Sequence, residues 1–382
     1  MNRPIRALIP ALVAVAGALY LASNASVRQA ELWLVGIAAG VVLYHASFGF
    51  TSSWRAFIAH GRGEGVRAQM LMLAATCLVF FPALANGSLF GSAVRGSVAP
   101  AGLAVVIGAF MFGVGMQLGG GCASGTLFSV GGGSTRTVIT LAAFIAGSVI
   151  ATAHTTFWAT MPAPKPMSVV AMLGVVPALV ANLTVFAGIA WATIIVERRR
   201  HGALPETRVA PASWQHAWAG PWPMLFGALG LAAINIATLV LAGRPWGVTA
   251  AFALWGAKSM QMAGLAGGLV TWPYWSTPAQ VAALNAPIAN DVTSVMDVGI
   301  IVGALLASVL AGKFAPVWRI PARSLAAAVV GGLLLGYGAR IASGCNIGAF
   351  FSGIASGSLH GWLWFAAAFA GNSLGTKLRP LF

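Results

Sequence analysis

Long apolar segments run through almost the whole of this chain, and they restrict it to folds that use lipid as their solvent. Only 7% of the 382 residues are charged, whereas a soluble domain needs about a quarter to cover its surface. The alternating pattern of a membrane β-barrel is missing, and most segments approach the roughly 20 residues with which a helix crosses a bilayer. The segments lie at about 5–23, 32–51, 68–85, 98–118, 136–160, 169–196, 221–242, 247–270, 293–312, 322–342 and 360–376. We therefore predict an all-α polytopic membrane protein with about ten transmembrane helices.

The net charge of +15 comes from basic residues that are spread between the apolar segments. Nucleic-acid binding needs such residues gathered in one stripe, so we exclude that class of function. Lys and Arg in short loops instead mark the cytoplasmic side of a membrane protein. The strongest marker is the run Glu197-Arg198-Arg199-Arg200-His201, which opens the one long polar stretch. We predict a solvated cytoplasmic linker at 197–218 in a multi-pass protein of the bacterial inner membrane.

One short motif occurs twice, at 113–125 and at 336–348. In each copy a Gly-x-Gly pair lies nine and seven residues before a cysteine, and another glycine follows three residues after it. The glycine–cysteine pairs are Gly121-Cys122 and Gly344-Cys345. A glycine-broken turn that carries one thiol, used twice in so apolar a chain, indicates a membrane path built from two related halves.

The two copies of the motif predict two membrane halves joined by the polar linker. The first half is 1–196, with a core repeat at 32–160, and the second is 219–382, with a core repeat at 247–376. Inverted repeats are a common plan for transporters, whose site lies near the midplane where broken helices meet. We therefore expect two inverted halves with re-entrant or broken short helices.

The number of segments conflicts with this topology, because eleven full crossings would put the two basic termini on opposite sides of the membrane. One segment is thus predicted not to cross. Either 169–196 or 221–242 fails to span, or 247–270 dips into the bilayer and returns, since Lys258 interrupts its apolar run. The sequence does not decide between these alternatives.

The glycine–cysteine turns have a chemical use at membrane depth. Unpaired backbone there is tolerated only where it lines a cavity, and the residues after Cys122 and after Cys345 are compatible with helix. A helix start offers free N–H groups and a partial positive charge, both of which suit an anion. A thiol adds a weak hydrogen-bond donor suited to a soft anion. The alternative is that both cysteines are buried fillers, since free Cys packs as a small hydrophobe.

The two motifs resemble those of the YeeE/YedE family of thiosulfate-type sulfur transporters. The similarity rests on Gly-Gly-Cys-Ala-Ser-Gly-Thr-Leu at 120–127 and on Gly-Ala-Arg-Ile-Ala-Ser-Gly-Cys-Asn-Ile-Gly-Ala-Phe at 338–350. The resemblance implies an hourglass of helices in which the substrate passes a constriction by successive contacts with thiols. Cys122 and Cys345 match two thiol positions of the family. A third family thiol lies in a Phe-Cys-Phe segment, where this chain has Gly49 between two phenylalanines.

Several other polar residues are predicted at membrane depth. Gln117 and Arg340 each lie five residues before a cysteine, and a cation at the second position would draw an anion towards the thiol. Lys258 and Asp297 are charges inside apolar segments, which are functional candidates by default, although the two could instead pair with each other. Two further residues beside the thiols would line the path or cap half-helices, Ser124 and Asn346.

These observations predict a permease for a small sulfur-containing inorganic anion, most plausibly thiosulfate, that performs no enzymatic reaction. A phosphate-binding glycine loop is missing, and the three cysteines form no zinc-type cluster, so we expect no cofactor and no metal. One alternative is a persulfide relay that delivers sulfur to a soluble acceptor. Another is a structural subunit without a path. A soluble sulfur-carrier protein docking on the basic linker is a further partner to consider.

Overall fold

The computed structural model describes residues 3–204, 218–269 and 271–382. Its regular structure is helical apart from one hairpin of β1 (Ser88–Leu89) and β2 (Ser92–Ala93). The helices are α1 (Arg3–Asn24), α2 (Val27–His45), α3 (Phe50–His60), α4 (Glu64–Asn86), α5 (Leu103–Gly119), α6 (Ala123–Gly131), α7 (Thr135–Ala153), α8 (Thr155–Ala159), α9 (Val169–Leu173), α10 (Val175–His201), α11 (Met224–Ala242), α12 (Thr249–Met262), α13 (Ala266–Leu269), α14 (Pro278–Asn285), α15 (Val292–Leu310), α16 (Ala322–Ile341), a π-helix (Asn346–Phe351), α17 (Ser352–Ala355) and α18 (Leu359–Leu378). Two 3₁₀ turns complete the set, Ile288–Asn290 and Arg379–Leu381.

Nine helical stretches in the described part of the chain are long and apolar enough to cross a membrane. Several contain a break, because α2 with α3, α5 with α6, and α16 with α17 each form one stretch. The stretches are Ala7–Asn24, Val27–His60, Glu64–Asn86, Leu103–Gly131, Thr135–Ala153, Val175–His201, Met224–Ala242, Val292–Leu310 and Ala322–Ala355. The predicted all-α polytopic membrane fold is therefore confirmed.

The segment 247–270 differs from the others in the length of its helix. Helix α12 has 14 residues, or about 21 Å at 1.5 Å per residue, whereas the hydrocarbon core is about 30 Å thick. The chain then turns through the short helices α13 and α14 before α15 begins. Both α10 and α11 are long enough to span. The length of α12 agrees with the alternative in which 247–270 dips into the bilayer and returns, which stays a prediction.

Glycines in the two motifs let four helices pack closely at the centre of the molecule, where α5 contacts α16 and α18, and α16 contacts α7. Gly113 lies against the backbone of α18, where a Cβ would fall 2.7 Å from Asn372 N. Gly336, at the same place in the second motif, lies against α7, where a Cβ would fall 2.5 Å from Ser148 N. Small residues at such crossings allow backbones to approach. Each glycine thus lies against a helix of the other predicted half, and the division into two inverted halves stays a prediction.

The start of the predicted linker is less exposed than the sequence suggested. The side chain of Glu197 is fully buried, and it forms ion pairs with Arg67 at 2.8 Å and with Arg62 at 3.4 Å. Gly63 N also donates to its carboxylate at 3.4 Å. The prediction of a solvated run is therefore wrong for Glu197, because Arg62, in the loop between α3 and α4, and Arg67, in the first turns of α4, pair with it. The remainder of the linker, 205–217, lies outside the described residues.

Candidate functional site

Cys122 lies at the start of α6, and the glycines before it explain why one helix ends and another begins. Helix α5 ends at Gly119, and Gly120 follows with a φ of +89°, a left-handed conformation that favours glycine. The Cys122 Sγ accepts a hydrogen bond from Gly125 N at 3.4 Å and lies 3.5 Å from Ser124 Oγ. Since a side-chain acceptor at this place caps the first helical turn, the thiol is the N-cap of α6. The prediction that a helix begins at this cysteine is confirmed.

Cys345 begins the second broken helix. Helix α16 ends at Ile341, and the chain reaches the cysteine through Ser343 and Gly344, whose φ angles are +56° and +142°. The π-helix follows directly and continues into α17. This cysteine therefore also lies at a helix start, as predicted.

The glycine before each thiol lies where a side chain would crowd the backbone of the following helix, and Gly344 also has a positive φ. A Cβ on Gly344 would lie 2.8 Å from Ala349 N, closer than real Cβ atoms approach. A Cβ on Gly121 would lie 3.1 Å from the carbonyl carbon of Gly125. In both motifs the glycine thus folds tightly over the first turn of the helix that carries the thiol.

The two broken helices meet inside the molecule. Helix α6 contacts the π-helix, and the exposed fractions of Cys122 and Cys345 are only 1% and 0%. Cys122 directly precedes the first residue of α6, and Cys345 directly precedes the first residue of the π-helix. The structure therefore brings the two predicted thiols to one buried junction between the two copies of the motif.

Two polar side chains near this junction lack hydrogen-bond partners. Asn346, which directly follows the second thiol, is fully buried, and neither its Oδ1 nor its Nδ2 is partnered within the described part of the chain. The same is true of both carboxylate oxygens of Asp297 in α15, which lies within electrostatic reach of Cys345. Buried polar groups are nearly always hydrogen-bonded, so these two indicate a place for water or a polar ligand.

Lys258 forms its hydrogen bonds with backbone carbonyls and not with Asp297. Its Nζ donates to Leu284 O at 2.7 Å and to Ala286 O at 2.6 Å, at the end of α14. Both ion pairs within residues 3–204, 218–269 and 271–382 involve Glu197. The alternative that Lys258 and Asp297 pair with each other is therefore wrong, because backbone carbonyls take up the ammonium group.

Gln117 lies at the centre of a buried polar network. Its Nε2 donates to Asn372 Oδ1 at 2.8 Å and to Thr51 O at 3.1 Å, and its Oε1 accepts from Arg55 Nη1 at 3.3 Å. The contact of Arg55 with Gln117 was not predicted from the sequence. Arg55 lies in α3 and Gln117 in α5, so the contact depends on how these helices pack.

Arg340 contacts an aromatic side chain. Its Nη1 donates to Tyr274 Oη at 2.9 Å, and the guanidinium carbon lies 5.3 Å from the ring centroid. Tyr274 lines a cavity of about 320 Å³ together with Thr155 and Thr277. Since α16 ends at Ile341, no continuous helix carries Arg340 to the thiol.

Gly49 is the N-cap of α3, in extended backbone with φ of −112°. A Cβ at this position would lie 2.5 Å from Ser52 Oγ and 3.6 Å from Ser52 Cβ. Ser52 is exposed, so its hydroxyl can rotate away. The local fold therefore accommodates a side chain where this chain has glycine.

Paired, thiol-bearing broken helices within a bundle of membrane-spanning helices define a polytopic membrane protein with a polar junction in its interior. The chain matches the family described as "Sulphur transport" over residues 45–374. It therefore belongs to this family of bacterial multi-pass membrane proteins, which confirms the resemblance found in the motifs.

Three relatives are similar over part of the chain. A protein named thiosulfate transporter TsuA, from Spirochaeta thermophila, is 30% identical over 279 residues, which cover 68% of this chain and 72% of the relative. The probable transporter YedE of Escherichia coli is 29% identical over 178 residues, or 44% of this chain and 42% of the relative. Its counterpart from Salmonella typhimurium is 31% identical over 179 residues, with the same coverage. The chain thus spans less than half the length of the two YedE proteins.

Proposed function

We propose that this protein is an inner-membrane permease for a small sulfur-containing inorganic anion, with thiosulfate as the first candidate. The anion passes the buried junction by successive hydrogen bonds from the thiols of Cys122 and Cys345. No bond within the substrate is made or broken, so the proposal requires neither an enzymatic step nor a cofactor. The two halves, 1–196 and 219–382, would be inverted copies that place one thiol each at the constriction.

One observation carries this proposal: the two thiols begin two helices that contact each other in the interior. Helix starts attract anions through free N–H groups and the helix dipole. The match to the relative named thiosulfate transporter TsuA covers more than two thirds of that protein. Thiosulfate is therefore the first anion to test.

Other polar residues have supporting roles in the proposed path. Ser124 contacts the first thiol, and Gln117 joins α5 to α18 and to Arg55. Asn346 is positioned to offer an unpartnered amide beside the second thiol. Arg340 and Lys258 are held by other groups, so we propose that they act on the anion at longer range. We also propose that a soluble sulfur-carrier protein docks on the basic linker.

Uptake of ³⁵S-labelled thiosulfate by proteoliposomes tests this function directly. The variants are Cys122→Ala and Cys345→Ala, with Cys77→Ala as the matched control, because Cys77 is equally buried but lies in the middle of α4. A hydrogen bond to a charged group contributes about 1.5–3 kcal/mol, and about 1.4 kcal/mol is a tenfold change. We therefore expect either pathway substitution to slow uptake roughly 10- to 100-fold.

The outcomes separate the competing functions. Wild-type uptake that survives both substitutions contradicts the thiol path. Transport of another oxyanion, without thiosulfate, removes only the substrate assignment. A cyanide-labile sulfur that accumulates on the purified protein supports the persulfide relay, whereas a wild-type protein that transports nothing supports a structural subunit.

A further inference from the structure

Asp297 is a buried acidic side chain that the proposed thiol path does not use. It lies within α15, and its exposed fraction is 0%. Neither carboxylate oxygen has a hydrogen-bond partner among the described residues. An ionised carboxylate in an apolar interior without a partner is so costly that the group takes up a proton instead. Among the described residues no salt bridge balances this acid, and a proton is the simplest species that can.

The charged groups around Asp297 are few. Asp291, at the N-cap of α15, and Arg244, on the loop before α12, act on it electrostatically. Asp291 is already engaged, since its Oδ2 accepts from Ser294 N at 2.7 Å and from Ser294 Oγ at 2.6 Å. Arg244 donates to Thr293 Oγ1 at 3.0 Å. Neither group makes a direct contact with Asp297, so neither replaces the proton.

The helices packed against α15 are α1, α2, α6 and α12. Helix α6 contributes Cys122, the N-cap thiol, and α12 contributes Lys258, whose ammonium is taken up by carbonyls. The remaining titratable side chains described on these helices are exposed or lie at helix ends: Tyr20 of α1, and Arg28, Glu31, Tyr44 and His45 of α2. The environment of Asp297 therefore favours its neutral form.

Asp297 also lies close to the proposed path. It is within electrostatic reach of the Cys345 thiol, and α15 packs along α6, which begins at Cys122. An anion at the thiol junction would make a negative charge on Asp297 still less favourable. The binding of an anion and the binding of a proton then strengthen each other, and this coupling is reciprocal.

We propose that Asp297 is a proton-binding residue that couples the passage of the anion to the entry of one proton. This inference depends on the proposed permease function. The proton comes from water on the outer side, binds one carboxylate oxygen of Asp297, and returns from that oxygen to water on the inner side after the anion has left. In the protonated state the carboxyl O–H is also a hydrogen-bond donor near the second thiol.

A metal cation is the other species that could balance the acid, and the structure favours the proton. No group of three His, Cys, Asp or Glu side chains suited to a metal ion occurs in the described ranges. Within the described residues, Asp297 and the neutral amide of Asn346 are both buried without hydrogen-bond partners, and an amide and one carboxylate make a poor cation site. A sodium gradient is therefore an arm of the test and not part of the proposal.

Proteoliposomes with a clamped membrane potential provide the test. Three proteins are compared, wild type, Asp297→Asn and Asp291→Asn, for accumulation of labelled thiosulfate under an inward proton gradient and for exchange of labelled against unlabelled thiosulfate without a gradient. Asp291→Asn is the matched control, because it removes a carboxylate from the same helix and Asn remains a good N-cap. One proton per anion permits about tenfold accumulation for each pH unit of gradient.

We expect wild type and Asp291→Asn to accumulate thiosulfate under the proton gradient, and Asp297→Asn to retain exchange but to lose accumulation. Gradient-driven accumulation by Asp297→Asn at the wild-type level would overturn the proposal, as would a wild type that responds to sodium and not to protons. If Asp297→Asn also loses exchange, a pH-sensitive dye inside wild-type vesicles measures proton entry during thiosulfate uptake. Entry of about one proton with each anion supports the proposal, and uptake without acidification overturns it. A wild type without any exchange contradicts the permease function itself.

Discussion

The ion pairs of the buried Glu197 carboxylate predict a loss of stability on substitution, and the solvent exposure of the two arginine partners sets its size. Its Oε2 lies 2.8 Å from Arg67 Nη1 and its Oε1 lies 3.4 Å from Arg62 Nη1, and the arginine side chains are 21% and 43% exposed. Removing one partner of a fully buried pair costs about 3–5 kcal/mol, whereas an exposed pair contributes about 0–1 kcal/mol. Because Arg67 retains some solvent, we expect Glu197→Ala to cost about 2–3 kcal/mol.

The same reasoning ranks the partners of Glu197. Arg67→Ala should destabilise almost as much, since it leaves the buried carboxylate with its weaker partner only. Arg62→Ala should cost less than about 1 kcal/mol. Arg198→Ala, which changes the neighbouring exposed arginine, is the control and should have little effect.

Thermal unfolding in detergent, followed by tryptophan fluorescence, measures this ranking. We expect a decrease in Tm of roughly 2–4 °C for Glu197→Ala, a similar decrease for Arg67→Ala, and smaller changes for Arg62→Ala and Arg198→Ala. Equal decreases for Arg62→Ala and Arg67→Ala would refute the argument that burial decides the contribution of each pair.

Two further predictions concern glycines. Gly49→Cys, combined with Ser52→Ala to remove the one close contact, should fold normally and place a thiol where the resemblance in the motifs implies a third one. On the proposed permease function we expect faster thiosulfate uptake than in Ser52→Ala alone. Unchanged or slower uptake contradicts a role for this position. Gly336→Val places a side chain on the backbone of α7 and should prevent recovery of folded, monodisperse protein, whereas Gly188→Val, where no atom lies within 4 Å of the new Cβ, should behave as wild type in size-exclusion chromatography.

The sequence predicted the membrane helices and both thiol-bearing breaks, because apolar length and glycine chemistry are local properties. It did not predict the partner of Lys258, which donates to carbonyls 26 and 28 residues away. It also missed the contact between Arg55 and Gln117, 62 residues apart. Such contacts depend on how helices pack, and no local pattern records them. Glu197 shows the same limit, since its burial results from arginines more than 100 residues earlier in the chain.

The two thiols differ in what surrounds them, although their motifs match in spacing. The Cys122 sulfur already accepts from Gly125 N and contacts Ser124 Oγ, so its local turn satisfies part of its hydrogen-bonding capacity. Cys345 instead adjoins the unpartnered amide of Asn346 and lies within reach of Asp297. A passing anion therefore gains more new hydrogen bonds at the second thiol, because groups without partners contribute most when a ligand satisfies them. On the proposed permease function, we therefore expect the anion to be held more strongly at Cys345 than at Cys122.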